Sequence, residues 1–289
     1  MGQVTEISWC DHTFNPVWGC TKVSAGCAHC YAETLAKRYG KDVWGPGERR
    51  TFADKHWNEP LKWARDAEKA GERRRVFCGS MCDVFEEHPT TEAQLPRLMA
   101  LIAATSHALD WLLLTKRPER ASAWLREWLA TTPRWRVGQA GLGAAQPFWW
   151  LGTSVEDQST LVARAPRLFG APAAVRFLSY EPALGPIDLG AAPAYVDWVI
   201  VGGESGPGAR PFDIAWARSV AEQCRTAGVA CFVKQLGARP EGISDGISYR
   251  GSETKKPDGF YRYLNDRKGG DWSEWPEDLR VREFPGTAA

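Results

Sequence analysis

Short apolar runs recur along the chain, each ending in small or polar residues and each followed by a stretch of helical spacing. They are Arg75–Ser80, Trp111–Lys116, Phe148–Ser154, Val175–Glu181, Trp198–Glu204 and Val229–Gln235. A further run within Val4–Trp9 is read as the first strand. Continuous apolar runs of this length fit strands buried on both faces, as in a parallel sheet. Their spacing of roughly 22 to 38 residues leaves room for a helix between successive strands. Helical periodicity predicts helices over Glu92–Leu109 and Ile214–Ala227, the second stopped by Gly228, and a first helix running from Tyr31 to a stop at Gly40. The pattern gives the α/β class: a partial (β/α) barrel of about six to seven parallel strands, with an inserted lid and an irregular C-terminal extension. A doubly wound open sheet is the rival architecture. The expected division is a barrel over 1–238, interrupted by an insertion at 37–75, and an extension or cap over 239–289.

In either architecture ligands bind at the C-terminal ends of the strands. The polar residues that close the runs fall there: Ser80 and Asp83, Thr115 and Lys116, Ser154 and Glu156, Ser179 and Glu181, Glu204 and Ser205, Lys234 and Gln235. Taken singly, each also reads as a helix cap or a satisfied turn residue.

Composition narrows the function classes. Lys and Arg number 36 against 35 Asp and Glu in 289 residues, so a whole-surface attraction to nucleic acid or membrane is unsupported, although a local patch is compatible with it. No apolar run reaches the ~18 residues of a membrane span, and the first residues lack the basic and apolar regions of a signal peptide. The expectation is a cytoplasmic protein whose eight cysteines are free thiols or metal ligands rather than disulfides. Segment 37–75 holds 12 Lys and Arg against 7 Asp and Glu, interleaved with Tyr39, Trp44, Phe52, Trp57 and Trp63. Such mixing suits a phosphate backbone and stacked bases. It suits equally a solvated helical lid whose tryptophans pack on the barrel.

Three cysteines after the first expected strand, Cys20, Cys27 and Cys30, form a C-x6-C-x2-C run. Three thiolates on one short loop can hold three irons of a [4Fe–4S] cluster and leave the fourth open to substrate or cofactor. On this loop the chain resembles the radical S-adenosylmethionine (SAM) enzymes, which place a three-cysteine loop after strand one of a partial barrel. The common family spacing is C-x3-C-x2-C with an aromatic residue before the last cysteine; here the first gap is six residues and His29 takes the aromatic position. Segment 13–32 is similar, more specifically, to an uncharacterised phage and bacterial family marked by this three-cysteine motif. That likeness extends through Leu114–Pro118, Gly152–Glu156, Ser179–Pro182 and Gly202–Ser205.

The resemblance implies metal ligation by Cys20, Cys27 and Cys30, and a [4Fe–4S] cluster that cleaves SAM to a 5′-deoxyadenosyl radical with an electron from an external donor. It implies that Ser80 and Asp83 contact the methionyl amine, with Lys116 as partner for the carboxylate and Ser154, Glu156 and Glu181 near the ribose or substrate. Glu204 lies in a Gly-Gly-Glu that matches the family's amine-binding motif in letters but falls on a later strand; it stays a cofactor-binding candidate without that role. Cys78 and Cys82 flank the end of strand two and are candidates for hydrogen-atom transfer, against the plainer reading of small buried hydrophobes. Cys224 and Cys231 read as core. The phage-type likeness and the basic, Trp-rich insertion direct the substrate expectation to a nucleic acid or nucleotide.

Three other accounts compete. Structural zinc would join the loop cysteines to one of Cys10, His12 or His29. A barrel binding a phosphorylated small molecule would use Gly202–Gly206 as its phosphate loop. A non-enzymatic nucleic-acid module would rest on 37–75, against the balanced charge and the large α/β core.

Overall fold

The structure, a computed structural model, describes residues 5–132, 148–244, 247–250 and 261–286. Seven parallel strands form the main sheet: β1 (His12–Phe14), β2 (Arg74–Cys78), β3 (Leu109–Thr115), β4 (Trp149–Val155), β5 (Val175–Tyr180), β6 (Trp198–Gly202) and β7 (Ala230–Gln235). Their spatial order follows the chain without a reversal. A doubly wound sheet turns back at a switch point; this one does not, so the architecture is the partial (β/α) barrel.

Two compact units make up the chain. The first takes Met1–Val23, Cys30–Thr153 and Arg167–Arg176, the second Ser24–His29, Ser154–Pro166 and Phe177–Ala289. In the first, β1 pairs with β2, β2 with β3 and β3 with β4. Helix α1 spans Tyr31–Arg38, α2 Glu59–Ala70, α3 Pro89–Thr105 and α4 Pro118–Thr131. In the second, β5 pairs with β6 and β6 with β7, accompanied by α5 (Gln158–Arg164) and α6 (Ile214–Ala227). A small four-stranded sheet of Phe212–Asp213, Pro240–Ser244, Ile247–Arg250 and Tyr261–Tyr263 also belongs to the second unit.

Local chemistry explains these boundaries. Helix α6 begins where the Asp213 carboxylate accepts the Ala215 N–H, and ends at Gly228, whose φ of 69° is the left-handed conformation that stops a helix. Helix α3 starts three residues earlier than periodicity predicts, because His88 caps it and Pro89 takes the first-turn position where no N–H is needed. All seven residues of β4 are buried, as expected of a strand covered on both faces. Much of the tryptophan surplus is core: Trp111, Trp149, Trp198 and Trp275 are at most 1 % exposed. Each of these four directs its indole N–H to an oxygen, those of Thr105, Pro172, Glu283 and Gly269 respectively.

The first strand departs from expectation. Residue 4 lies outside the described residues, Thr5–Trp9 form no strand, and β1 is His12–Phe14. A turn closed by the Cys10 N–H on the Ile7 carbonyl precedes it, and Trp9 is buried against Phe77, 4.6 Å between ring centroids. The apolar run at Ile7–Trp9 therefore marks a buried turn, which periodicity alone does not separate from a short strand.

In the insertion, Trp57 and Trp63 are 3 % and 2 % exposed; His12 stacks on Trp63 at 4.4 Å and Phe14 meets Trp57 edge-on. These rings are packed and do not form an open stacking surface. At its end Arg73 pairs with Asp110, Arg74 with Glu72 and Arg75 with Asp11. In the C-terminal segment Trp275 is buried while Trp272 is 44 % exposed. Among the described residues no helix is long and apolar enough to cross a membrane.

Candidate functional site

After β1 the chain makes a two-residue pairing, Val17–Trp18 with Arg50–Thr51, and enters the cysteine loop. A short 3-10 turn covers Ala25–Cys27, and Cys30 is the residue from which α1 starts. Helix dipoles favour negative charge at such a position. Cys20, Cys27 and Cys30 are half-buried, whereas the other five cysteines are buried. Among the described residues, these three cysteines are the ones that are not fully buried.

In the first unit Cys20 and Thr21 are gripped by charged side chains. The Cys20 carbonyl accepts the Gly45 N–H at 3.0 Å, and the Thr21 N–H donates to Glu86 Oε1 at 2.6 Å. Arg49 donates twice to Glu86 at 2.8 Å, and further to Thr21 Oγ1 and to the carbonyls of Val43, Gly45 and Gly47. Arg49 and Glu86 are 4 % and 2 % exposed, a buried bidentate pair. Burial by itself would raise the Glu86 carboxyl, but the bonds from Arg49 and Thr21 hold it below the usual carboxylate range. Desolvation, reinforced by Asp83 and Glu86 and opposed by Arg117, pushes the Cys20 thiol up to about 12. Any metal held there must displace that proton.

Asp83 gathers the end of β3. Its carboxylate accepts from Thr115 Oγ1, the Lys116 and Phe85 N–H groups and Arg117 Nη1, while Arg117 Nη2 reaches the Thr21 carbonyl at 3.2 Å. Ser80 Oγ accepts from Asn15 Nδ2 at 2.9 Å, and the Ser80 carbonyl accepts the Tyr31 hydroxyl at 2.7 Å. Asn15, fully buried, also accepts the Met81 N–H, so the turn after β2 is tied to the segment after β1. Cys78 ends β2 at 0 % exposure and Cys82 is 8 % exposed; burial raises both thiols well above their ordinary range. Neither residue opens to solvent.

In the second unit, Ser24 Oγ donates to Glu156 Oε1 at 2.8 Å, and Arg164 Nη1 reaches the same oxygen at 3.1 Å and the Ser154 carbonyl at 2.8 Å. Glu156 is fully buried. A Cβ at Gly26 would stand 2.5 Å from Glu156 Oε1, so this carboxylate fits only because residue 26 lacks a side chain. Glu204 Oε2 lies 2.9 Å from His29 Nδ1, and Arg210 holds both carboxylate oxygens while its Nη1 donates to the Ala25 carbonyl. Burial alone would raise Glu204, but the Arg210 side chain and N–H, with His29, hold its carboxyl below the usual range. Glu181 pairs with Lys234.

The glycines of Gly202–Gly206 serve packing. A Cβ at Gly203 would meet the Leu236 carbonyl at 2.5 Å, and the Gly203 N–H is already given to Gln235. The phosphate-loop account thus finds this amide engaged.

Zinc demands donors converging on one point. Among the described residues no three His, Cys, Asp or Glu side chains do so. The candidate fourth donors are also committed: Cys10 is buried, His12 stacks on Trp63 and His29 faces Glu204. A [4Fe–4S] cube makes a different demand, since each thiolate meets its own iron at a separate corner. Three cysteines on one short loop are the donor set such a cluster would take.

Sequence reasoning missed Arg49, Glu86, Arg164 and Arg210. None ends a strand or lies in the cysteine loop, so no local pattern marked them.

Comparison with known proteins adds the following. A family model described as a protein of unknown function, DUF5131, matches residues 4–271. No curated protein gives a significant sequence match. Among solved structures, a spore photoproduct lyase mutant with bound AdoMet and dinucleoside spore photoproduct is similar at TM-score 0.40 and 13% identity, over 74% of this chain and 52% of that one. A second lyase mutant gives TM-score 0.43 and 11% identity over 86% and 71%, and the lyase complexed with dinucleoside spore photoproduct gives 0.38 and 12% over 72% and 58%. This chain therefore spans between half and seven tenths of the length of those lyases.

Proposed function

The chain belongs to the DUF5131 family, whose function is unknown, and from that premise we propose that it is a radical SAM enzyme whose cluster ligands are Cys20, Cys27 and Cys30. One observation carries the reading: among the described cysteines, the three spaced C-x6-C-x2-C after the first strand of a parallel sheet are half-buried while the other five are buried. A [4Fe–4S] cluster held by these three residues would supply the electron for reductive cleavage of SAM. The chain's residues bind and orient. Ser80, fixed by Asn15, and Lys116, whose N–H is held by Asp83, are the proposed contacts for the methionyl amine and carboxylate. Ser154 and Glu181 are the proposed contacts nearer the ribose or substrate. Cys78 and Cys82, at and just after the end of β2, are the proposed hydrogen-atom relay.

The substrate class in this reading is a nucleic acid or nucleotide. Its support is the sequence resemblance together with the exposed residues Lys37, Arg38, Tyr39 and Lys41 at the end of α1, where cations flank a largely exposed ring. Arg73, Arg74 and Arg75 each already have an acidic partner, Asp110, Glu72 and Asp11.

The test is iron and sulfide content after anaerobic reconstitution. Replacing any one of Cys20, Cys27 or Cys30 with Ala should abolish cluster uptake, while Cys224→Ala, in the core, should leave it intact. Equal losses from both kinds of variant would sink the assignment. For the substrate, salt-dependent binding to DNA or RNA should weaken on the double change Arg38→Glu and Lys41→Glu. Binding that is absent, or indifferent to salt, would remove the nucleic-acid part.

A further inference from the structure

Glu156 and Glu204 follow strands β4 and β6, and both carboxylates bond to the cysteine loop. Each is held by an arginine from its own unit and each touches one end of segment 24–29. At the leading end, Glu156 accepts Ser24 Oγ at 2.8 Å and is braced by Arg164 at 3.1 Å. At the trailing end, Glu204 meets His29 at 2.9 Å and is braced by Arg210, whose Nη1 adds a 3.0 Å bond to the Ala25 carbonyl. Between the two grips lies the 3-10 turn Ala25–Cys27, closed by the Cys27 N–H on the Ser24 carbonyl at 3.0 Å. Gly26 lets the Glu156 oxygen into that turn.

We infer that Glu156–Arg164 and Glu204–Arg210 are positioning residues that hold the turn Ala25–Cys27, and with it the Cys27 thiol, in the conformation that presents it to the cluster. This rests on the reading of Cys27 as a ligand only for its last clause. Six residues of loop contain one turn of 3-10 helix, too little to hold its own shape. Charge-assisted bonds are about twice as strong as neutral ones, and here they come from groups anchored on the strand ends and on α5. The arrangement also directs His29 Nδ1 to Glu204.

The experiment uses the full chain without cluster, reduced and anaerobic. Two readouts are taken: hydrogen exchange of amides 24–29, and the rate of Cys27 alkylation by iodoacetamide relative to Cys20. Arg210→Ala and Arg164→Ala should each speed exchange in 24–29 by at least fivefold and change the Cys27 to Cys20 alkylation ratio. Arg210→Lys should recover part of the effect by reaching Glu204 with one donor. Unfolding midpoints serve as control, since a merely structural role would lower them without singling out this segment. The reconstituted proteins are then compared by EPR of the reduced cluster, where the arginine variants should shift or broaden the signal and Arg210→Lys restore it. Unchanged exchange and alkylation in both arginine variants would overturn the inference. If the wild type takes up no cluster while the variants still loosen 24–29, the clamp holds and the radical SAM reading fails. If the cluster binds and the segment is indifferent to both arginines, the clamp fails and the reading stands.

Discussion

Removing Arg49 is the sharpest test of how the first half of the cysteine loop is held. Its guanidinium is 4 % exposed and gives bonds to Glu86, to Thr21 Oγ1 and to three backbone carbonyls in 43–47. Arg49→Met keeps much of the apolar stem but leaves Glu86, 2 % exposed, with the Thr21 N–H at 2.6 Å and Arg117 at 3.8 Å. Breaking a buried pair on one side costs about 3–5 kcal/mol, because the remaining charge is stranded. With a urea slope of about 3 kcal/mol/M for a chain of this size, the midpoint should fall by roughly 1–1.7 M. A double change, Arg49→Met with Glu86→Leu, removes both charges and should be milder than the sum of the single changes by about 1–3 kcal/mol. The assay is equilibrium urea unfolding followed by tryptophan fluorescence, with the cycle completed by Glu86→Leu alone. A single-variant midpoint shift below about 0.3 M, or additive changes around the cycle, would refute the reasoning.

Other outcomes are equally specific. Asp157 caps α5 through the Thr160 N–H at 2.8 Å, so Asp157→Ala should cost about 1 kcal/mol at neutral pH. Burial by itself would raise the Asp157 carboxyl, but bonds from Thr160 and Ser159 hold it below the usual range. The cap's contribution is thus complete above the unfolded value of ~3.9 and lost as pH falls through the lower folded one. Acid titration of stability should show the wild type and Asp157→Ala converging only at the acid end; a constant gap would contradict it. Gly203→Ala drives a methyl against the Leu236 carbonyl and should destabilise by about 1–3 kcal/mol in the same urea assay, whereas Gly286→Ala, in open space, should be near neutral. Asp83→Asn removes the acceptor charge for Arg117 and Thr115, and should lower the thermal midpoint by several degrees. No change there would mean that Asp83 does not organise the end of β3.

The parts of this molecule readable from sequence are those written in local periodicity. The apolar runs placed strands β2 to β7 within a few residues, and Ile214–Ala227 with its stop at Gly228 was legible outright, since cap, period and glycine agree. Ile7–Trp9 misled because a buried turn and a short strand share an apolar signature. The Trp-rich insertion was ambiguous for a related reason: an aromatic among cations reads alike whether it stacks a base or, like Trp57 and Trp63, fills a core. What sequence could not show was the bracing of the loop. Arg49 and Glu86 are 37 residues apart, Ser24 and Glu156 132, and Arg210 and Ala25 185. Pairings at such separations leave no trace in spacing. The polar residues at the strand ends were legible as residues, but that Glu156 and Glu204 bond to Ser24 and His29 is a matter of side-chain partners that spacing does not carry.

The central claim is that the three loop cysteines hold an open-iron cluster. Anaerobic reconstitution with iron and sulfide, read by EPR of the reduced protein with and without SAM, addresses it most directly. The account predicts a [4Fe–4S] signal that shifts when SAM is added and that is lost in Cys27→Ala. Stoichiometric zinc in the purified protein, with no cluster formed and no response to SAM, would contradict it.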